Sequence, residues 1–205
     1  MNLKVIEESE LQPGDVLLCY SPDLEGKNEY VKDGYSHVAI CVSGRDIVEA
    51  NSAGVALTNT SNLLDEYGHI AVLRNPELWS PGRLNKLNGF ARSKLGKKFN
   101  KPGMLRVPQR KEEQEVEAMD RVEGYFEGTY SPAGGNRNVY FCSELVTSAF
   151  IEVGIIDESA SIVLSPEIFS PEDIGKDKAF GFFVGYIKPH EDYQIPHNDY
   201  FRTSI

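Results

Sequence analysis

The chain has 205 residues, 40 % hydrophobic and 25 % charged, with 21 Lys and Arg against 31 Asp and Glu for a formal net charge of −10. That length buries a full core in one domain, and so acidic a balance argues against a nucleic-acid binder. The start, Met1 to Glu8, lacks the apolar stretch of a secretory leader, no run is long enough to span a bilayer, and the three cysteines have no CxxC spacing, so reduced thiols and a cytoplasmic location are expected.

Pro13-Gly14-Asp15 reads as a turn into a short apolar strand, Val16 to Tyr20. The polar stretch Ser21 to Gly34 has the length of a functional loop. Ser36 to Ser43 is predicted as a buried strand, Gly44-Arg45-Asp46 as a tight hairpin turn and Ile47 to Asn51 as its partner. A turn at Ser52-Ala53-Gly54 leads into Val55 to Thr58 and completes an antiparallel meander. Thr60 or Ser61 is expected to cap a short helix through Leu63, Leu64 and Tyr67, and His69 to Leu73 to return as a strand. Ser80-Pro81 opens a helix with cap and first-turn proline in their preferred places, and Gly96 stops it. Lys97 to Arg110 reads as irregular, Lys111 to Phe126 as a helix with Val116, Met119, Val122 and Phe126 on one face, and Gly128 to Asn138 as a loop. A helix from Cys142 to Gly154 follows, then two short capped turns at Ser165-Pro166 and Ser170-Pro171, a last strand Ala179 to Ile187 and a polar tail at about 189–205. The pattern is α+β, an antiparallel sheet packed against helices.

Charge is unevenly spread. Residues 83, 86, 92, 94, 97, 98, 101, 106, 110 and 111 are basic, and no acid interrupts them. A single-sign stretch of this kind steers an anionic ligand or makes peripheral contact with an anionic membrane surface. The plainer expectation is that segment 83–111 lies against the acidic run after it (Glu112, Glu113, Glu115, Glu117, Asp120 and Glu123).

Cys142 stands where a short strand runs into a helix. Unpaired N–H groups and the positive end of the helix dipole favour thiolate there, whereas Cys19 and Cys41 lie within apolar strands and read as packed core thiols. His37 begins a strand, and Glu49 lies on the next. If residues whose numbers sum to about 89 or 90 lie opposite each other, His37 faces Ser52 and Glu49 sits diagonally across from His37, where it accepts the second imidazole N–H. A one-residue slip in register reverses that face. His69, at the start of another apolar strand, is the alternative imidazole; His190 and His197 read as surface residues of the tail. No HExxH and no Cys/His spacing calls for a metal, and no cofactor is implied.

These residues carry a family resemblance. Gly14-Asp15-Val16-Leu17, Tyr35-Ser36-His37-Val38-Ala39-Ile40, Val48-Glu49-Ala50 with Gly54-Val55, Leu95-Gly96-Lys97-Lys98-Phe99 and Phe141-Cys142-Ser143-Glu144-Leu145-Val146 resemble the circularly permuted papain-like enzymes of the NlpC/P60 superfamily. The YaeF/YiiX-type branch is the most similar, with lecithin–retinol acyltransferase a relative that has the same His-before-Cys order and the same gap, here 49 − 37 = 12. The resemblance covers about residues 11 to 155. It implies a permuted papain-like fold with the nucleophile at a helix N-terminus, Cys142 as nucleophile, His37 as general base and Glu49 as orienting residue. Tyr20, Tyr35 and Tyr140 are candidate side-chain oxyanion donors. The chain departs from the family in lacking a visible export signal and in a long charged insertion at about 97–138 within a single domain, 1–205.

The function so implied is a thiol hydrolase, amidase- or peptidase-like, that cleaves an amide- or ester-linked acyl group through an acyl-enzyme. An acyltransferase or lipid-modifying enzyme of the same superfamily is one alternative; a non-catalytic module that binds a hydrophobic or peptidic ligand is another. The expected partners are accordingly a small-molecule, lipid or peptide substrate; the sequence leaves oligomeric state open.

Overall fold

The apolar runs of the N-terminal part fold as strands in the computed structural model, whose described residues are 3–27, 31–44, 46–130, 138–162 and 165–203. In chain order the elements are β1 (Val16–Tyr20), β2 (Tyr35–Ser43), β3 (Asp46–Asn51), β4 (Gly54–Thr58), α1 (Thr60–Glu66) and β5 (His69–Arg74). These are followed by α2 (Pro81–Lys94), β6 (Lys98–Phe99), α3 (Lys101–Leu105), α4 (Val107–Phe126), β7 (Val139–Tyr140), α5 (Cys142–Glu152), α6 (Pro171–Lys176), β8 (Phe182–Ile187) and α7 (Tyr200–Thr203). Six strands form an antiparallel sheet in the order β4-β3-β2-β1-β5-β8, and β6 pairs with β7 in a small parallel ladder. The fold class is α+β.

Both faces of this sheet are covered, which is why β1 and β2 read as continuous apolar runs rather than alternating ones. Val16, Leu18, Val38 and Ile40 pack with Leu145, Val146 and Ala149 of α5, Leu87 and Phe90 of α2 and Ile174 of α6. Leu17, Cys19, Ala39, Cys41 and Ile47 face the other way, toward Leu63 of α1 and Leu11. Two positions at the sheet's margins also have their backbone groups taken. At β8, Ile6 N–H donates to Tyr186 O (2.9 Å) and Tyr186 N–H to Lys4 O (2.8 Å); at β4, Val55 N–H donates to Lys97 O and Gly96 N–H to Val55 O, each at 2.8 Å.

The second contact makes Gly54 a sensitive position. Its φ is +121°, and a Cβ there would lie 2.6 Å from Lys97 O, a backbone atom that cannot turn aside. Gly54→Ala is expected to cost about 3 kcal/mol, read as a lower midpoint in urea unfolding; an unchanged midpoint would contradict the contact.

Several expectations are corrected. The α1 cap is Asn59, whose Oδ1 accepts from Asn62 N–H at 2.9 Å, rather than Thr60 or Ser61. Segment 97–110 is ordered into β6, α3 and the start of α4, because Pro102 and Pro108 sit in first turns, where a missing N–H costs nothing; Asn100 Oδ1 caps α3 by accepting from Gly103 N–H. On α4, Val116, Met119 and Phe126 are 83, 77 and 83 % exposed, since the helix packs through Val107 and Gln114 instead. The last strand starts at Phe182, beyond a single turn, Lys178–Phe180, and Gly181 at φ +127°.

Among the described residues the basic segment does not pair with the acidic run beside it. Arg110 pairs with Glu167 (2.7 Å) and Lys111 with Asp173, while Glu117 pairs with Arg121 of its own helix. The tail, expected to be polar, buries Ile195, Asp199 and Phe201. Arg45 of the expected hairpin turn and residues 131–137 of the expected loop lie outside the described residues.

Candidate active site

Phe141 is extended, and the first helical residue of α5 is Cys142. Glu144 holds this start by accepting from Phe141 N–H (3.2 Å) and from Asn100 Nδ2 (3.2 Å). The Cys142 N–H, at the first helical position, has no acceptor within its helix, and the thiol lies at the positive end of the dipole.

The strands deliver the imidazole. β2 and β3 pair as Ile40↔Val48 and Cys41↔Ile47, so numbers sum to 88 rather than 89 or 90; an irregularity between Cys41 and Ser43 accounts for the slip. Continued along the strands, this register sets Asn51 rather than Ser52 opposite His37 and keeps Glu49 on the diagonal. His37 Nε2 donates to Glu49 Oε2 at 2.7 Å, and Asn51 Nδ2 donates to Glu49 Oε1 at 3.0 Å. With Nε2 committed, Nδ1 is the ring nitrogen left for the thiol, and each of the two groups acts on the other's protonation. All three groups are buried, with His37 5 %, Glu49 7 % and Cys142 5 % exposed.

Burial works against a charge on His37, but the hydrogen bonds and charges of Cys142 and Glu49 outweigh it and raise the imidazole to about 9. Burial also opposes the thiolate of Cys142; the His37 hydrogen bond and charge, with the Val38 and Ser143 N–H groups, bring it below the ordinary thiol value of 9.0. Cys19 and Cys41 go the other way, raised chiefly by burial, Cys41 to about 12.

Two of the three candidate tyrosines commit their hydroxyls to carboxylates. Tyr20 donates its hydroxyl to Glu25 (2.5 Å), and Tyr35 donates to Asp199 (2.8 Å). Tyr140 is fully buried, with the Lys94 ammonium 5.6 Å from its ring centre. His69 alternates with Ala71 and Leu73, on the opposite face from His37, and lies 3.2 Å from each of Asp199 Oδ2, Tyr35 Oη and Tyr193 Oη; this network ties the tail to the sheet. His190 and His197 are exposed.

Two residues at the site escaped the sequence reading. Tyr67 lies flat on the His37 ring, centroids 5.3 Å apart and planes 3° from parallel. Burial, then the nearby Cys19 and Cys142, hold its phenol above the usual range, so it stays a neutral donor. The signal was β-pairing: Cys19 pairs with both His37 and Ile70, which brings the residues just before Ile70 toward His37. Asn51 stands two positions after Glu49, so strand periodicity alone sets both on one face.

The α+β fold thus brings a thiol, an imidazole and a carboxylate together in one buried place. No family model matches the chain. It is 28 % identical over 206 residues to the probable lipoprotein peptidase YaeF of Escherichia coli strain K12, covering 92 % of this chain and 75 % of that protein. A solved structure, metalloprotein yiiX from Escherichia coli O157:H7 (DUF1105), is similar at a TM-score of 0.44 and 16 % identity, covering 85 % of this chain and 88 % of that one. So loose a likeness transfers nothing to this chain. No described helix is long and apolar enough to cross a membrane.

Proposed function

We propose that the chain is a thiol hydrolase of the permuted papain-like type, cleaving an amide- or ester-linked acyl group. The observation that carries this reading is the series Cys142–His37–Glu49, with the thiol lowered and the imidazole raised. In the proposed reaction His37 holds the proton taken from Cys142. The Cys142 sulfur attacks the acyl carbonyl, and the oxyanion forms beside the Cys142 N–H. The His37 imidazolium gives its proton to the departing amine or alkoxide as that bond breaks, leaving a thioester. Water then attacks the thioester while His37 takes its proton, and the acid leaves with the thiol restored. Glu49 keeps the imidazole in the productive orientation, as Tyr67 does by stacking. The name of the YaeF relative supports a peptide or lipoprotein as the first substrate class to assay.

Alkylation tests the reading before any substrate is found. Iodoacetamide at pH 7, followed by peptide mass mapping, is expected to modify Cys142 well ahead of Cys19 and Cys41, whose burial holds them as thiols. Equal, slow labelling of all three would sink it.

A further inference from the structure

We infer that the end of the molecule formed by β6, α3 and the start of α4 is a docking surface for the anionic face of a phospholipid bilayer. Lys98, Lys101 and Arg106 are exposed, and none has a carboxylate partner among the described residues. Leu95 and Leu105 stand among them at 40 and 67 % exposure. Lys101 and Leu105, four apart on α3, share one face of that helix. A chain of net charge −10 that holds a patch of unneutralised cations around bare leucines is built to seat those cations at phosphate headgroups and the leucines at the acyl boundary.

The rest of α4 sets the orientation. Beyond Lys111 its sequence has Glu112, Glu113, Glu115, Glu117, Asp120 and Glu123 against Arg121 alone, so its charge reverses along an axis of about 30 Å. An anionic surface attracts Arg106 at the start of the helix and repels the acidic remainder, which makes contact end-on. A flat polyanion such as a nucleic acid would gain from the cations but not from the leucines. The patch also adjoins the candidate site. Lys98 pairs with Val139 and Phe99 with Tyr140, two residues before Cys142, and Asn100 binds Glu144 of the same helix turn.

Vesicle sedimentation tests the surface with the full chain. Binding to phosphatidylcholine vesicles carrying about 30 mol % phosphatidylglycerol is expected to exceed binding to phosphatidylcholine alone and to be released by about 0.5 M NaCl. Each cation removed lowers affinity about fivefold, so Lys98→Glu/Lys101→Glu/Arg106→Glu abolishes sedimentation, and Leu105→Ser weakens it. Equal partition to both vesicles, no binding to either, or an unaffected triple variant overturns the inference. So does competition by heparin when Leu105→Ser binds like the parent, which would assign the patch to soluble polyanions. Because the surface does not depend on the proposed chemistry, Cys142→Ala keeps vesicle binding, and the triple variant keeps the alkylation rate of Cys142, which also reports that it is folded.

Discussion

His37→Ala is expected to slow alkylation of Cys142 at pH 7 by about 100-fold. Without the imidazole, the hydrogen bond and charge that most favour the thiolate are gone and burial remains, so the thiol rises from its lowered value and far less of it is ionised at pH 7. The Val38 and Ser143 N–H groups are untouched by the change, so a fall much smaller than this would mean that backbone, not His37, sustains the thiolate. Hydrolysis of an activated acyl ester should fall further, by about 10³-fold, because the variant also lacks the group that protonates the leaving atom. Cys142→Ser is the companion control and should lose both readouts, since a buried hydroxyl at neutral pH supplies neither alkylation nor attack.

Glu49→Gln is expected to move the alkaline limb of the pH–rate profile. Hydrolysis needs a protonated His37, so the parent's rate should decline as pH rises through about 9. The sign follows from the causes of the shift: burial lowers the imidazole, and Cys142 and Glu49 raise it. Removing the Glu49 charge while keeping an acceptor at that place leaves only Cys142 to oppose burial. The limb should move to lower pH by about one unit or more. Glu49→Ala should do the same and in addition leave His37 Nε2 and Asn51 Nδ2 without their shared acceptor, adding a loss of stability that Gln avoids. A limb that stays at about 9 in both variants would remove Glu49 from the proposed machinery.

Which parts of this were legible in the sequence follows from how local each cause is. β1 to β5 could be read because runs such as Val16 to Tyr20 and Val38 to Val42 have turn residues at both ends, and hairpins pair neighbours in sequence. The closeness of His37 and Glu49 follows from that pairing at a sum of 88, where Glu49 is two positions from Asn51, the residue opposite His37, and shares its face. At 89 it would point to the other face, so the contact was expected rightly from a register one residue off. Cys142 at a helix start was also a local matter. Tyr67 was hidden because its contact with His37 passes through two ladders, β2 to β1 and β1 to β5, which no short window contains. Tyr20 and Tyr35 were candidate oxyanion donors, yet their hydroxyls go to Glu25 and Asp199, and Asp199 arrives from a tail whose polarity made it look detached. On α4 the apolar spacing was real, but a period of 3.6 gives the shape of a face and not its neighbour, so Val116, Met119 and Phe126 were legible as a stripe and illegible as exposed.

The backbone groups already taken at Tyr186 and Val55 bear on how a peptide would be held. An incoming strand that sought to lengthen the main sheet would meet Lys4 and Ile6 at one margin and Gly96 and Lys97 at the other, and would have to displace them. Extended ligands are often gripped by main-chain pairing that is indifferent to their side chains. That grip is obstructed at those positions, so under the proposed chemistry selection among substrates would fall to contacts with the acyl group and the residues flanking it. The same obstruction guards copies of the chain against joining sheet to sheet.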